Sequence, residues 1–303
     1  MTRPSKNWFP HWRAWHYVHL ALLGLLPAFW LFQRDAAMPP LASLMSWLLI
    51  VSAITMLAER LLPYRQDWHP SGRDCMRDGS LFAINSVADT LGDVLIAVLA
   101  IAWFAAPNQW PPGLQIVLGL VLAELGAYLA HRASHAGGFL WKTHVAHHLP
   151  AALNASNSFN AHPLNTLINK LARMAPLAFL GLSADAILFV ALFGLMQGIV
   201  VHANIRGRMG FLNLIVGSSE LHRLHHSVRL DQARNFGTSL PLWDLVFGSF
   251  RWDEEVSQVG VTEPDGYPPT HDLWAQLLLP VCPARPGRQQ SICKRTSTQA
   301  GAG

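Results

Sequence analysis

Of the 303 residues in this chain, 51% are hydrophobic and only 13% are charged, which is a poor composition for a surface covered by water. The basic residues behind the net charge of +4 are scattered, so we expect charge that flanks a membrane and no nucleic-acid partner. The three cysteines are far apart and define neither a disulfide framework nor a metal-ligand spacing. A membrane protein is therefore favoured over a soluble bundle, whose helices would carry polar faces.

Long runs poor in charged residues, separated by proline-rich turns, predict four transmembrane helices in the first half of the chain. They lie at about 15–33, 41–62, 81–106 and 112–131. The first run begins only after Trp15 and lacks a small-residue cleavage site, so we expect a span and not a signal peptide.

The basic residues between these helices predict their orientation. Three of them precede the first helix, and Arg60, Arg65, Arg73 and Arg77 lie at the end of the second helix or in the second loop, before the hydrophobic part of the third. The first loop carries only Arg34, and the loop after the third helix carries none. Because basic residues concentrate on the cytoplasmic side, both termini and the histidine-rich region are expected there.

The third predicted helix carries three polar residues at a spacing of four. Asn85, Asp89 and Asp93 form one slowly drifting stripe along a helix. Two interpretations remain open. The stripe faces the interior of the helix bundle, or the span begins later and these residues lie among the lipid headgroups.

Histidines are concentrated in one part of the sequence, and eight of them form three motifs, an HxxxH pair and two HxxHH groups. These are His131 and His135; His144, His147 and His148; and His222, His225 and His226. Residues at i, i+3 and i+4 share one face of a helix, so each motif can present imidazoles to a metal. Isolated histidines such as His69 and His271 are expected to be ordinary core or surface residues.

The number of histidines indicates more than one metal ion. A structural zinc site needs four ligands and a catalytic zinc site needs three, whereas the motifs supply eight. Neutral imidazoles suit iron, zinc or copper better than magnesium or calcium. Two metals are therefore predicted, and redox chemistry becomes possible if they are iron.

From about Ala123 to Asp253 the sequence resembles the fatty acid hydroxylase and sterol desaturase superfamily of membrane diiron oxygenases. The resemblance rests on motifs in the right order: Glu124, Tyr128 and the HRASH of 131–135, then LWKTHVAHH, NAHP, VHAN, ELHRLHH and NFGTSLPLWDLVFGSF. It implies two iron (Fe) ions as cofactors and O2 as co-substrate. It also implies that the histidines of the three motifs are ligands and that His162 and His202 complete the set.

The resemblance points to four further residues around the metals. Glu124 is expected to orient a histidine ring, or else to be an interfacial acid paired with a basic residue. Tyr128 belongs to the same element. Asn235 and Asp244 either support the ligands or only cap turns of their loop.

The sequence also predicts an all-α fold divided in three. Residues 1–131 form transmembrane helices, 132–283 form a cytoplasmic dimetal catalytic region, and 284–303 form a disordered basic tail. An apolar stretch near 174–201 is expected to be a re-entrant or interfacial helical hairpin, because a single crossing would separate the histidine motifs across the membrane.

The implied activity is that of a membrane monooxygenase that hydroxylates an unactivated C–H bond of a lipid-like substrate. A lipid or sterol desaturase with the same ligands is an alternative, and a non-catalytic metal-binding membrane protein is an alternative of another class. No Rossmann-type glycine fingerprint or haem-binding domain is recognisable, so a separate reductase, ferredoxin, cytochrome or other reductant is the expected electron donor.

Overall fold

The computed structural model describes residues 14–103, 109–207, 209–252, 255–262 and 266–281. The tail predicted over 284–303 lies outside these ranges. Within them the chain is helical, and its β-structure is confined to two isolated bridges. The helices are α1 Ala14–Asp35, α2 Pro40–Leu61, α3 Gly72–Trp103, α4 Pro112–Ser134, α5 Gly138–His148, α6 Pro163–Phe179, α7 Ala184–His202, α8 Ser219–His225, α9 Leu242–Val246 and α10 Leu273–Leu278.

Four of the described helices are long and apolar enough to cross a membrane, namely α2, α3, α4 and α7. The predicted all-α, multi-pass fold is thereby confirmed. These four helices differ from the four predicted transmembrane helices in two members. α1 is not one of these four helices, and α7 belongs to the stretch where a re-entrant or interfacial hairpin was expected.

The predicted hairpin is a pair of helices, α6 and α7, joined by the turn at 180–183. It is longer than the stretch 174–201, because α6 begins at Pro163 directly after the loop that carries His162. α6 packs against α3 and α4, and α7 packs against α2 and α4. The helices of the two regions predicted as 1–131 and 132–283 therefore pack against one another.

Close packing of α4 against α6 depends on Gly126. A Cβ at this position would overlap the main-chain oxygen of Ala172 on α6. Small residues allow such backbone approach between helices in a membrane. Because His131 lies only five positions further along α4, the same contact fixes the position of the first metal-ligand candidate.

The polar stripe of α3 faces α6. The amide of Asn85 donates to the main-chain oxygens of Phe159 and Ala161 at 3.1 and 3.0 Å. The carboxylates of Asp89 and Asp93 both pair with Lys170 of α6, at 2.9 and 3.0 Å. The stripe thus contributes to the packing of α3 against α6 and the loop before it, while the side chains of Asp89 and Asp93 stay 47% and 62% exposed.

A buried carboxylate ties the loops on either side of the α6–α7 pair to α2. Glu59 accepts hydrogen bonds at 2.7 Å from the backbone N–H groups of Ala155 and Asn204. These two residues lie in the loop after α5 and the loop after α7. The bonds hold α5 and the end of α7 together, where His147 and His202 are found.

Candidate metal centre

Nine histidines converge in two groups, in each of which the candidate ligand nitrogens lie within 4.8 Å of one another. The first histidine group contains His131, His135, His144, His148 and His225. The second histidine group contains His147, His202, His222 and His226. All but His147, which is half-buried, are buried.

Each HxxHH motif contributes to both groups. In α5, His144 and His148 enter the first group and His147 enters the second. In α8 the division is reversed, since the i+3 residue, His225, is the one that enters the first group. The two motifs therefore join the two groups into one centre.

The spacing of the ring nitrogens fits metal ligation. In the second group, Nε2 of His202 lies 3.2 Å from Nε2 of His147 and 3.1 Å from Nε2 of His222. In the first group, Nε2 of His144 and His148 are 3.1 Å apart. Two imidazole nitrogens bound at right angles, about 2.1 Å from one metal, are about 3.0 Å apart.

Main-chain oxygens orient four of the rings. Nδ1 of His131 lies 2.7 Å from the oxygen of Phe236, and Nδ1 of His225 lies 2.9 Å from that of Arg234. In the second group, Nδ1 of His147 lies 3.0 Å from the oxygen of Asn160, and Nδ1 of His202 lies 2.7 Å from that of Gly198. A carbonyl oxygen only accepts, so each Nδ1 carries the proton and each Nε2 keeps its lone pair for a metal.

Several buried ring nitrogens have no hydrogen-bond partner among the described residues. They are Nε2 of His131 and His225 and both nitrogens of His135. Leaving a buried polar atom unpaired costs about 1–3 kcal/mol. A bound metal ion would satisfy these atoms, so the donor set fits iron, zinc or copper.

The candidate ligands outside the spanning helices favour the neutral form. Burial lowers the pKa of His147 to about 4, against a hydrogen bond to Asn160 that raises it. Burial also holds the pKa of five further imidazoles well below the usual range, those of His144, His148, His222, His225 and His226. Neutral imidazole is the form that binds a metal.

The structure does not bring His162, predicted to complete the ligand set, into either group. Its Nδ1 accepts a hydrogen bond from the N–H of Leu164 at 3.1 Å, and its Nε2 lies 3.0 Å from the oxygen of Leu277. His162 is the N-cap residue of α6. Both ring nitrogens are thus engaged by the main chain.

Asn235 holds the two carbonyls that orient candidate ligands of the first group. It has a φ of 58°, in the left-handed region that asparagine tolerates better than most residues. Its side chain accepts from the N–H of Arg251 at 2.7 Å and donates to the oxygens of Arg251 and Leu221. The carbonyls of Arg234 and Phe236, on either side of it, accept from His225 and His131.

Asp244 fixes the same segment from the other side. Its carboxylate accepts from the N–H groups of Phe236 and Gly237 at 2.8 and 2.7 Å and from the hydroxyl of Ser249 at 2.7 Å. Tyr128 lies 2.8 Å from the same hydroxyl and accepts from Arg132 at 2.7 Å. This network connects α4 to the carbonyl of Phe236.

Glu124 binds the loop that follows Phe236 and does not contact an imidazole. One of its oxygens accepts from the N–H of Ser239 at 2.9 Å, and the other lies 3.6 Å from Arg173 of α6. The expected contact with a histidine ring is replaced by support of the loop that follows Phe236. The alternative expectation, an acid paired with a basic residue, describes this ion pair.

Three contacts at the site have little or no signal in the sequence motifs. Asn165 places its Oδ1 3.3 Å from Nδ1 of His144. The oxygens of Arg234 and Phe236 are main-chain atoms and leave no trace in residue type. Asn165 lies three residues after His162 on the first turn of α6, and that proximity to the NAHP motif is the one signal pointing to it.

A cavity of about 500 Å³ opens onto the centre between α2, α3, α6 and α7. Its histidine lining comes from both groups: His131, His144, His147, His202 and His222. Much of the remaining wall is apolar, including Leu41, Leu44, Leu48, Phe82 and Phe159. A long apolar molecule therefore has a route from the spanning helices to the metal-ligand candidates.

The chain is similar in sequence to known proteins. A family model for fatty acid hydroxylases matches residues 116–249. The ornithine lipid hydroxylase OlsE of Rhizobium tropici is 34% identical over 299 aligned positions, which cover 90% of this chain and 84% of that protein. The chain belongs to the fatty acid hydroxylase family. It is a membrane-bound oxidoreductase, and the hydroxylase activity expected from its motifs is confirmed at the level of the family.

More distant members of the fatty acid hydroxylase family include the alkylglycerol monooxygenases. Those of Danio rerio and Homo sapiens are 26% and 29% identical over 58% and 46% of this chain. The chain spans only 37% and 32% of their lengths. No solved structure matches it.

Proposed function

We propose that the two histidine groups hold two iron ions and that the protein uses O2 to hydroxylate a C–H bond of an ornithine-type membrane lipid. The observation that carries the proposal is the cavity between membrane-spanning helices, which ends on histidines of both groups. The similarity to an ornithine lipid hydroxylase over most of both chains supports the substrate class.

Iron bound in this centre would supply the redox chemistry by which one oxygen atom of O2 enters a C–H bond and the other leaves as water. The balance of that reaction requires two electrons and two protons. We therefore propose a separate electron donor, a reductase, a ferredoxin, a cytochrome or a small reductant, as the sequence predicts.

The chain itself contributes the positions of the imidazole rings and an apolar stretch of cavity wall. The main-chain oxygens of Phe236 and Arg234 hold His131 and His225 with Nε2 directed into the first group. Oriented ligands and a dry cavity are what a protein adds to the chemistry of a metal. The apolar residues Leu48 and Phe82 of the cavity wall would align an acyl chain beside the centre.

The observations favour hydroxylation over the two alternatives. A non-catalytic metal-binding protein needs closed sites, whereas here the cavity reaches five of the nine histidines. A desaturase would have the same ligands, but the named relatives are hydroxylases and monooxygenases.

We further propose that the centre faces the cytoplasm, as the distribution of basic residues predicts. The loop after α2 carries Arg65, whose N–H binds Asn204 beside the second histidine group. Labelling of single cysteines at exposed Asp67 and at the N-terminus tests this. Both should react only from the cytoplasmic side, and reaction of Asp67→Cys from the outer side would contradict it.

The function is tested by expressing the chain in cells that make ornithine lipids and supplying ¹⁸O2. A lipid heavier by one ¹⁸O atom should appear in mass spectra with the wild-type chain. It should be absent with His147→Ala or His225→Ala, although both variants insert into the membrane, and it should persist with His69→Ala. A product two hydrogens lighter would indicate a desaturase, and an unchanged lipid profile would refute the proposal.

A further inference from the structure

The cavity has two chemically different walls. The α3 wall presents acceptors, namely Asn85, Asp89 and Asp93, and the α6 wall presents Asn165, Lys170 and Arg173, whose free or charged groups are donors. All six residues line the same cavity that reaches the histidines. Ionisable residues within spanning helices are costly and commonly mark a substrate path.

Charge on the α3 wall is not balanced. Lys170 pairs with Asp89 and with Asp93, so two carboxylates share one ammonium group and one negative charge remains. Arg173 does not supply the missing charge, because it faces the carboxylate of Glu124. An additional cation in the cavity would neutralise the surplus.

Two buried amides point to a ligand independently of the carboxylates. Asn85 is 9% exposed, and its Oδ1 has no hydrogen-bond partner among the described residues. Asn165 is 4% exposed, and its Nδ2 likewise has no hydrogen-bond partner among them. Asn85 thus holds an unsatisfied acceptor and Asn165 an unsatisfied donor, and both residues belong to the cavity wall. A buried amide atom without a partner costs about 1–3 kcal/mol, which a bound polar group would recover.

The polar residues of the α3 wall lie at increasing distances from the histidines. Asn85 is anchored to the carbonyls of Phe159 and Ala161, on either side of Asn160, whose own carbonyl accepts from His147. At about 1.5 Å per residue, Asp89 and Asp93 follow about 6 and 12 Å further along α3. The polar groups therefore begin beside the metal-ligand candidates and continue away from them.

We propose that this cavity binds a zwitterionic lipid headgroup, with Asp89 and Asp93 receiving its ammonium group. The Oδ1 of Asn85, about 6 Å nearer the histidines than Asp89, accepts a hydrogen bond from a different donor of the headgroup. Asn165 and Arg173 on the opposite wall meet its carboxylate or carbonyl oxygens. The inference rests on the proposed lipid hydroxylation and names the residues that select the substrate by charge.

The test measures binding, without turnover, in the full chain loaded with iron. Two radiolabelled lipids in detergent micelles are compared, ornithine lipid and the same lipid with its side-chain amine acetylated, which removes the positive charge. The wild-type chain should bind ornithine lipid, which has the free amine, at least about 10-fold more tightly than the acetylated lipid. That ratio is the range expected for a charge-assisted hydrogen bond. Equal affinity for the two lipids would overturn the proposal.

Variants separate recognition from packing. Asp89→Asn and Asp93→Asn should each weaken binding of the amine and leave binding of the acetylated lipid unchanged, and Asp89→Glu should restore the preference. If the ion pairs had a purely structural role, the substitutions would weaken binding of both lipids equally, and that result would overturn the proposal. Iron content serves as the check on folding, and if Asp89→Asn loses its metals, the more exposed Asp93→Asn decides.

A matched control is Asp185→Asn. The Asp185 side chain is 54% exposed, between the 47% of Asp89 and the 62% of Asp93, and it also pairs with a basic residue, Arg34. It does not line the cavity, so the preference for the amine should stay. Hydroxylation without an amine preference would refute this inference alone, and an amine preference without hydroxylation would refute the proposed function alone.

Discussion

Nδ1 of His131 lies 2.7 Å from the main-chain oxygen of Phe236, a residue 105 positions later in the sequence. The bond joins the end of α4 to a loop held by Asn235 and Asp244. A candidate metal ligand is thereby oriented by a backbone atom, and its orientation depends on the side chains that hold that stretch of backbone in place.

Asn235→Ala should lower the metal affinity of the first histidine group by about 10- to 100-fold, the usual effect of losing support around a ligand. The substitution removes three side-chain hydrogen bonds and places alanine at a positive φ. Metal content after dialysis against graded chelator measures the change.

Asn235→Gly is the matched comparison, because glycine adopts the left-handed conformation without strain. It should lose nearly as much affinity if the side-chain bonds are responsible. Full recovery by glycine would show that only the backbone conformation matters, and wild-type affinity in both variants would remove Asn235 from the account.

His162→Ala should keep the full metal content. The ring caps α6 and bonds to Leu277, so its loss should lower the free energy of unfolding by about 0.5–2 kcal/mol. Thermal unfolding and elemental analysis of the same sample measure both quantities. A fall in metal content at unchanged stability would make His162 a ligand after all, as the motif resemblance implies.

Gly126→Ala should destabilise the protein although alanine is favoured over glycine by about 1 kcal/mol in a helix. The added methyl group overlaps the main-chain oxygen of Ala172, and overpacking of this kind costs about 1–3 kcal/mol or more. Gly79→Ala in α3 is the control, since no atom lies within 4 Å of its added Cβ. If both variants melt at the wild-type temperature, the close approach of α4 and α6 is not needed.

Much of the centre could be predicted from sequence because its pattern is local. Histidines at i and i+4 lie on one helix face whatever the rest of the chain does, and such pairs, for example His131 and His135, do enter one group. Hydropathy likewise located α2, α3 and α4, since spanning a bilayer imposes length and apolarity on each helix separately.

The remaining features depend on how distant helices pack. The i+3 histidines His147 and His225 cross to the opposite group because α5 and α8 meet there, and no spacing within a motif shows this. His162 keeps a motif position but lies where the main chain engages both of its nitrogens. The role of Asn235 depends on a φ of 58° and on carbonyls beside it, neither of which residue type reveals.

The most direct test of the central claim is the iron content of the purified full-length chain, determined by elemental mass spectrometry after reconstitution under reducing conditions. The two histidine groups predict two iron ions per chain, and the shared α5 and α8 motifs predict that His147→Ala and His225→Ala each fall below two. One iron ion per chain or none in the wild type, or two in both variants, would contradict the account.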